Sequence, residues 1–405
     1  MNILFLTMSS QLRDIETSGI YTDLMRKFRD SGHTVYIIAP HERRSKRGTE
    51  YTVTNGVHFL GVATLNLSKT NVIEKGVGQL LLEYQFSSAL HRYWSDVSFD
   101  VILYSTPPIT FTRVIKDVKR HNPKAISYLL LKDIFPQNAV DLGMLTTSGV
   151  KGVLYRYFRH KERRLYAISD YIGCMSPANV RYLLEHNPEI EPSKVEVAPN
   201  SYDIPTQSAD DIEPHQIRAR YGLPTNIPIF IYGGNMGKPQ GIPFILECLD
   251  RVKHRTDCHF LLVGNGTEYA TLEAWMKRNR PAAVSLFENL PKRDYDALAS
   301  SCDVGLIFLD YRFTIPNYPS RLLPYIMSRK PIIAATDPNC DMGALAEANG
   351  YGYWSPSNSA DRFVEVVEKM LHSDIRQMGD KGYEFFMNNY TTEHTYNTII
   401  KHCKE

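Results

Sequence analysis

Basic and hydroxyl side chains follow apolar strands in the second half of the chain, where helical segments begin. Ser320 and Arg321 precede one helical segment, and Lys238 lies in the glycine-rich stretch YGGNMGKPQGI. The N–H groups that open a helix attract anions, and a guanidinium binds two oxygens of a phosphate at once. These segments predict a phosphate site in which Lys238 and Arg321 supply the charge. A capping serine beside a solvated arginine, or a glycine turn that serves geometry alone, is the alternative interpretation.

Other loops of this half offer amide and backbone groups. Asn265 stands between two glycines, where a structural turn is the simpler interpretation, and Asn289 and Leu290 follow the next strand, where backbone groups suit a flat base. In open α/β sheets, ligands bind beyond the carboxyl ends of the strands. The candidate ligand-binding residues of this half are Gly234, Asn235, Lys238, Gln240, Gly241, Asn265, Asn289, Leu290, Ser320, Arg321 and Leu322.

A proline interrupts the helical segment that follows Arg321. Pro324 stands within its first turns. Proline is tolerated at the start of a helix but not in its interior. The helix is therefore predicted to begin just before Pro324 or to kink there.

Carboxylates mark the first half. Asp133 follows the apolar run AISYLLL, Glu16 lies beside the Thr17-Ser18-Gly19 segment that opens the first helix, and Asn138 is a third polar candidate. A positioned carboxylate orients a hydroxyl or takes its proton, and helix-opening amides such as that of Gly19 bind the same ligand. A loop aspartate that caps the next helix is the alternative.

Alternating strands and helices must position these residues. The runs NILFLTM, TVYIIAP, FDVILYS and AISYLLL in the first half, and IPIFIYG, CHFLLVG, DVGLIFL and KPIIAAT in the second, are each followed by a polar or helical segment. This βα pattern predicts doubly wound parallel sheets. A chain of 405 residues exceeds one ordinary core. We predict two facing Rossmann-like α/β domains, 1–205 and 206–385, with a deep cleft between them.

Composition excludes several classes of protein. A formal net charge of +2 indicates no nucleic-acid partner. The six cysteines form no CxxC pair and no zinc spacing, and scattered thiols fit a reducing cytosol. The start MNILFLT is too short for a signal peptide, and no run reaches the roughly 20 apolar residues that span a bilayer. No Asp-x-Asp pair follows a strand in the second half, so no metal is expected.

One segment combines aromatic and basic residues. Gly149–Ala167 reads GVKGVLYRYFRHKERRLYA, with six basic residues and one acid. Aromatic and basic residues on one helix suit an anionic membrane surface. We predict that the protein is cytoplasmic and that this helix binds it peripherally to the inner face of the cytoplasmic membrane. A core-facing helix with a solvated basic face is the alternative.

Three segments together carry a family resemblance that covers nearly the whole chain. KDIFPQNAVDLGML resembles a D-x-x-P-E-x-A-x-x-x-G motif, YGGNMGKPQGIPFIL resembles Y-x-G-N-x-G-x-x-Q-G, and YPSRLLPYIMSRKPIIAATD resembles P-S-K-L-x-E-Y-x-x-x-x-K-P-V-I-A. With these segments the chain resembles the retaining GT-B glycosyltransferases of family four. It looks especially like the bacterial branch in which the three motifs occur, which builds capsule and O-antigen repeats and whose best-known members handle N-acetyl-L-fucosamine.

The resemblance implies that the two domains bind different substrates. The second domain, with Gly19 of the first, holds a nucleotide-sugar donor without metal or other cofactor, and the first binds the acceptor through Glu16, Asp133 and Asn138. A C-terminal helix at about 386–405 crosses back to the first domain. The wider family has glutamates at positions 316 and 324, where this chain has prolines, and basic residues at Asn235 and Gln240.

The sequence thus predicts transfer of a sugar from a UDP-sugar to a polyprenyl-diphosphate-linked acceptor, with retention of configuration. The sugar is expected to be an N-acetylated deoxyhexosamine such as N-acetyl-L-fucosamine. Two alternatives remain: a UDP-N-acetylhexosamine 2-epimerase, and a non-catalytic partner that binds a nucleotide sugar. The epimerase requires acid–base groups for proton abstraction, and the sequence shows no convincing cluster of them.

Overall fold

The computed structural model describes residues 1–67, 70, 72–204 and 213–403. The chain forms two compact units: unit 1 comprises Met1–Asp203 and Thr391–Glu405, and unit 2 comprises Ile204–Tyr390. The boundary predicted between residues 205 and 206 lies outside the described residues.

Unit 1 is built on a sheet of eight strands. Its strands are β1 (Asn2–Leu6), β2 (Thr34–Glu42), β3 (Glu50–Thr54), β4 (Val57–Thr64), β5 (Val101–Ser105), β6 (Ile126–Leu131), β7 (Tyr171–Cys174) and β8 (Val195–Val197). Its helices are α1 (Thr22–Asp30), α2 (Val72–Tyr93), α3 (Thr112–His121), α4 (Gln137–Asp141), α5 (Gly149–Ile168) and α6 (Pro177–His186), with α15 (Thr392–Ile400) near the end of the chain.

The strand order in unit 1 is β3-β4-β2-β1-β5-β6-β7-β8. All neighbours pair in parallel except β3, which pairs antiparallel with β4. The β3–β4 hairpin was not predicted from the sequence. Its edge strand β3 is exposed or half-buried at every residue and carries no apolar run, whereas β4 is largely buried. The central strands β1 and β5 are apolar and buried on both faces, as a parallel sheet covered by helices requires.

Unit 2 has a six-stranded parallel sheet in the order β11-β10-β9-β12-β13-β14. Its strands are β9 (Ile229–Gly233), β10 (His259–Val263), β11 (Val284–Phe287), β12 (Val304–Phe308), β13 (Ile332–Thr336) and β14 (Gly352–Pro356). Its helices are α7 (Pro214–Arg220), α8 (Ile242–Val252), α9 (Tyr269–Asn279), α10 (Lys292–Ser301), α11 (Leu322–Met327), α12 (Met342–Ala348), α13 (Ala360–Leu371) and α14 (Ile375–Asn389). Short 3-10 turns occupy Ser10–Arg13, Arg43–Ser45, Pro192–Lys194, Lys238–Gln240 and Lys401–Cys403.

The last helix belongs to unit 1, as predicted, but it is shorter than predicted. The predicted segment 386–405 begins inside α14, and only α15 packs on α1. The ring of Tyr396 lies 5.1 Å from that of Phe28, and its hydroxyl is 2.9 Å from His33 Nε2. The end of the chain is therefore held by aromatic packing at the start of the first βαβ unit.

Candidate active site

The sheet of unit 2 has a topological switch point between β9 and β12. The chain runs from β9 to β10 on one side, and β12 pairs with β9 on the other. Loops diverge at such a point and leave a crevice at the carboxyl ends of the strands. Gly234 follows β9, and Arg321 immediately precedes α11, the helix after β12. Two of the predicted ligand residues of unit 2 therefore lie where the sheet topology favours a ligand site.

Arg321 lies against an aromatic ring and not against an acid. Its Cζ is 4.4 Å from the ring centroid of Tyr232, a buried residue of β9. Among the described residues Arg321 forms no ion pair, and its Nη1 is buried without a hydrogen-bond partner. A methyl group at Gly234 would stand 3.5 Å from Nη2. The guanidinium thus keeps unsatisfied donors beside a glycine turn, which is the arrangement an anion needs.

The loop after β9 is shaped by its own hydrogen bonds. The Gln240 side-chain oxygen accepts from the Asn235 side chain at 3.1 Å and from the Gly237 amide at 3.0 Å. The Tyr232 hydroxyl donates to the Asn235 carbonyl at 2.6 Å. Asn235 and Gln240 therefore set the conformation of the loop, whatever they contact in a complex.

A second loop packs directly on the first. The Met236 amide donates to the Asn265 carbonyl at 2.8 Å. A Cβ at Gly264, whose φ is +155°, would lie 1.8 Å from the Gly234 carbonyl oxygen, so only glycine fits there. The Asn265 side chain donates to Glu288 Oε1 at 3.1 Å. The loops after β9, β10 and β11 are therefore joined, and Asn289 and Leu290 continue the third of them.

The structure places the other predicted residues of unit 2 less centrally. Lys238 is exposed and forms no ion pair within the described chain. Gly241, at φ +64°, is the N-cap of α8. Ser320 is half-buried, and Arg321, not Ser320, is the N-cap of α11. Leu322 is a fully buried core residue whose amide donates to the Pro319 carbonyl.

The helix at Pro324 starts where the sequence predicts. Residue 324 is the third residue of α11, which begins at Leu322. The N–H groups of the first turn have no intrahelical acceptor, so a proline there costs no hydrogen bond.

Asp133 in unit 1 forms no ion pair with any residue that the structure describes. It follows β6, and its amide donates to Thr106 Oγ1 at 3.2 Å. Burial raises the pKa of Asp133 to about 6. Burial also raises the pKa of Tyr21 to about 12, with Ser105 as hydrogen-bond partner and Asp133 as a nearby charge. The three side chains gather where β1, β5 and β6 end.

Three residues of this region were not predicted from the sequence: Tyr21, Ser105 and Lys132. Ser105 carried a signal, since it is the polar last residue of the buried strand VILYS. Tyr21 is the N-cap of α1, and nothing in its sequence position indicates its contact with Asp133. Lys132 donates to the Ala198 carbonyl at 3.0 Å, and burial lowers its pKa to about 7.

The structure does not bring Gly19 and Glu16 to Asp133 by any contact in the described chain. The Gly19 amide donates to the buried carboxylate of Asp23 at 3.0 Å, so it is occupied. Glu16 forms an ion pair with Arg29 at 2.5 Å. Asn138 lies in α4, close after Asp133, and its Oδ1 is buried without a partner among the described residues.

The helix predicted at Gly149–Ala167 exists as α5, and its two halves differ. Leu165 is buried in the core, and the ring of Phe158 packs on Phe135 at 5.0 Å. The apolar residues of the first half are exposed: Val150, Val153, Leu154 and Tyr157, with 90%, 61%, 44% and 38% of their surface open. Three basic residues are paired with acids: Arg159 with Glu162, Lys161 with Glu83, and Arg163 with Glu189. The second half of α5 therefore packs on the core, as in the alternative interpretation, and the membrane contact of the first half stays a prediction.

The described residues form neither a cluster of metal-ligating side chains nor a membrane-spanning helix. No three side chains of the metal-ligating types come together in the part of the chain that the structure describes. Within the same residues, no helix has the length and apolar character to cross a membrane.

A comparison with protein families matches unit 2. Residues 214–385 match the family model "Glycosyl transferases group 1". Over 329 residues the chain is 21% identical to the probable glycosyltransferase WbjE of Pseudomonas aeruginosa, covering 80% of this chain and 78% of that protein. The residues that match the family model include Gly234 and Arg321.

Solved structures of low sequence identity share the fold of the whole chain. Sucrose-phosphate synthase of Thermosynechococcus elongatus superposes with a TM-score of 0.73 at 13% identity, covering 99% of this chain and 97% of that chain. Alr3699/HepE of Anabaena, in complex with UDP and glucose, gives 0.68 at 14% identity, covering 100% and 99%. The predicted pair of Rossmann-like α/β domains of the GT-B class is confirmed. The second unit is similar to the group 1 glycosyl transferases, and the protein is a glycosyltransferase.

Proposed function

We propose that the enzyme transfers a sugar from a UDP-sugar to a lipid-linked oligosaccharide during synthesis of a bacterial surface polysaccharide. The observation that carries the donor half is Arg321, a guanidinium with a buried, unpaired donor at the switch point of unit 2. A structural neighbour, HepE, binds UDP and glucose. The sequence resemblance to WbjE supports a bacterial glycosyltransferase. We propose an N-acetylated deoxyhexosamine such as N-acetyl-L-fucosamine as the sugar.

The proposed mechanism rests on the departing diphosphate. As the bond to the anomeric carbon breaks, negative charge accumulates on the diphosphate, and preorganised donors at that position lower the barrier. Arg321 is fixed by the Tyr232 ring before the donor arrives, so little reorganisation is needed. We propose that Lys238, on its glycine loop, adds a second charge. A leaving group that itself helps to deprotonate the acceptor permits retention of configuration without metal.

Asp133 is proposed to act on the acceptor. With its pKa raised by burial to about 6, it is ionised at neutral pH, and the carboxylate accepts a hydrogen bond or a proton from a sugar hydroxyl. Tyr21, with its pKa raised to about 12, stays a neutral donor beside it. The unpaired Asn138 Oδ1 offers a further hydrogen-bond acceptor in the same segment.

The proposed cellular location is the inner face of the cytoplasmic membrane. α5 presents exposed Val150, Val153, Leu154 and Tyr157, and its cations Lys151 and Arg156 form no ion pair within the described residues. Apolar residues beside cations suit the boundary between headgroups and acyl chains. A polyprenyl-diphosphate acceptor would be held in that membrane.

We expect release of free UDP from a UDP-sugar only when a polyprenyl-diphosphate-linked acceptor is present. Release should be unchanged in excess EDTA, because cationic side chains take the place of a metal at the diphosphate. A coupled UDP assay over a panel of UDP-sugars measures both. Interconversion of UDP-sugars without acceptor would point to an epimerase, and UDP-sugar binding without turnover would point to a non-catalytic partner. Activity that EDTA abolishes and magnesium restores would refute the metal-free mechanism.

Arg321→Ala is expected to weaken UDP binding about tenfold or more. A charge-assisted hydrogen bond contributes roughly 1.5–3 kcal/mol, and a factor of ten corresponds to about 1.4 kcal/mol. Titration calorimetry with UDP measures the change. Arg251→Ala is the matched control, since Arg251 pairs with Asp361 on the surface of the same unit. Equal UDP affinity in the two variants would remove Arg321 from the donor site.

Asp133→Asn should lower turnover by about a hundredfold or more while UDP affinity is kept. The variant should also be the more stable protein at high pH. A folded pKa of about 6, above the ordinary value of 3.8, means that the wild type loses stability as pH rises between these values. The difference in melting temperature between variant and wild type should therefore grow from pH 4 to pH 7. Asp30→Asn, at an exposed carboxylate of α1, serves as control. A pH-independent difference would contradict the assigned burial.

Anionic vesicles should bind the protein through α5 at low salt and release it at high salt, since surface charges are screened. Lys151→Gln/Arg156→Gln should reduce the fraction that sediments with phosphatidylglycerol vesicles. Arg163→Gln is the matched control, because Arg163 is paired with Glu189 on the same helix. If the double variant and the control sediment equally, α5 does not supply the attraction.

A further inference from the structure

One helix of unit 1 exposes an apolar face where a polar one is expected. On α2, Val77, Leu80, Leu81 and Tyr84 have 43%, 54%, 42% and 54% of their surface open. Their spacing of i, i+3, i+4 and i+7 places them on one side of the helix. The other side is the core face, with Leu82, Phe86, Ala89 and Leu90 buried. We call the four exposed residues the α2 ridge; contiguous exposed apolar residues of this kind mark an interaction site.

A basic groove lies on one side of the α2 ridge. The groove is formed by α2, α3 and α5 and has a volume of about 690 Å³. The Arg113 guanidinium stacks 3.9 Å from the Tyr84 ring centroid, so the groove begins at the ridge itself. Its lining contains two acids, Glu83 and Asp117, and five cations: Arg113, Lys116, Arg120, Lys161 and Arg164. The cations therefore outnumber the acids.

Three of these cations are not neutralised by the protein. Lys161 lies 3.7 Å from Glu83, and Arg120 lies 3.8 Å from Asp117. Arg113, Lys116 and Arg164 form no ion pair with any residue that the structure describes. All three side chains are exposed. The groove thus carries a net positive charge that is open to an external anion.

A second basic cavity lies on the other side. It has a volume of about 470 Å³, and its lining includes Arg43, Lys46 and Arg47 from the turn after β2. Arg43 pairs with Glu74 at 2.9 Å, whereas Lys46 and Arg47 have no acidic partner within the described chain. Leu81 of the ridge lines this cavity as well as the first groove. The α2 ridge therefore runs between two positively charged hollows.

We propose that the α2 ridge docks into the anionic leaflet of a phospholipid bilayer, with lipid phosphates in the hollows on both sides. A bilayer offers apolar chains beneath a helix and phosphates along both of its flanks, within the 5–10 Å depth that an interfacial helix reaches. The charges and apolar residues of this face match that order. Lys161 and Arg164 connect the face to α5, since they continue the spacing of Leu154 and Tyr157 along the same helix. This inference deepens the proposed location by adding α2 as an element that inserts into the membrane. It rests on the proposed function only in assuming that the acceptor is lipid-linked.

The test is a double substitution of the ridge, Leu80→Gln/Tyr84→Gln. Glutamine is a good helix former, so the change removes the apolar surface and keeps the helix. We expect the wild type to sediment with vesicles of phosphatidylcholine and phosphatidylglycerol, and less with phosphatidylcholine alone. The double variant should partition at least tenfold less at physiological salt, because insertion of the apolar side chains is insensitive to screening. Met387→Gln is the matched control, as an exposed apolar residue of unit 2.

A separate arm tests the hollows. Lys116→Gln/Lys46→Gln should remove most of the preference for phosphatidylglycerol over phosphatidylcholine without changing the melting temperature, since neither lysine has an acidic partner among the described residues. UDP affinity and UDP release with detergent-solubilised acceptor should stay at wild-type values in all these variants. The proposal is overturned if the ridge variant sediments like wild type. It is also overturned if wild type does not bind anionic vesicles, a result that would favour an acidic protein as the partner of this face. If the wild type releases no UDP with the acceptor, the proposed function is refuted, and the vesicle result remains valid.

Discussion

The contact between Arg321 and the face of Tyr232 holds a cation without an acidic partner among the described residues at the switch point of unit 2. A carboxylate partner would have satisfied the guanidinium and cancelled its charge. The aromatic ring holds it at 4.4 Å and leaves its hydrogen-bonding edge with a buried, unpaired Nη1. The ring in turn is fixed, because Tyr232 belongs to the fully buried β9 and its hydroxyl binds the Asn235 carbonyl. The strand, the glycine turn and the helix start therefore act together to present one open positive charge.

Two buried cations of unit 2 are satisfied by the protein and contrast with Arg321 and Asp133. Arg218 pairs with Asp303 at 2.7 Å and also reaches backbone carbonyls, and Lys330 donates to the carbonyls of Ser300 and Cys302. These groups contribute to the core of unit 2. Arg321 and Asp133 lack such partners in the described chain, although an unpaired desolvated group lowers stability. Such groups concentrate at functional sites, where a ligand completes the pairing.

The sequence was sufficient for the architecture and for the loops, and insufficient for the side chains that meet across them. Apolar runs followed by glycine or polar residues predicted the central strands, because burial on both faces requires such runs. The edge strand β3 was not predicted, because an exposed edge strand carries no such apolar run. Tyr21 and Tyr295 escaped for a different reason. Tyr295, on α10, brings its hydroxyl so close to Gly233 that a Cβ there would clash, a contact between residues 62 positions apart that no local pattern records.

The charges of α5 show the same limit. Its basic residues read alike in sequence, but the fold neutralises Arg159 and Arg163 with Glu162 and Glu189 and leaves Lys151 and Arg156 open. Glu162 lies on α5 itself, whereas Glu189 lies outside this helix, so the cations that remain available depend in part on residues distant in sequence. A basic run alone therefore overstates the charge that a surface can offer.

The prolines at 316 and 324 fit this account of Arg321. The wider family that the sequence resembles has glutamates at these positions, and an acid at 324 would stand three residues after Arg321, on the adjacent turn, where opposite charges pair. A proline in the first turn of α11 keeps the helix start and adds no competing carboxylate. On the proposed function, the guanidinium would then be left to the diphosphate. The same replacement removes the acid that the resemblance places at the ribose hydroxyls. Recognition of the ribose would then fall to the strand-end loops, where Asn289 and Leu290 follow the Glu288 that accepts a hydrogen bond from Asn265. In this chain, charge recognition and sugar recognition are therefore expected to rest on different segments.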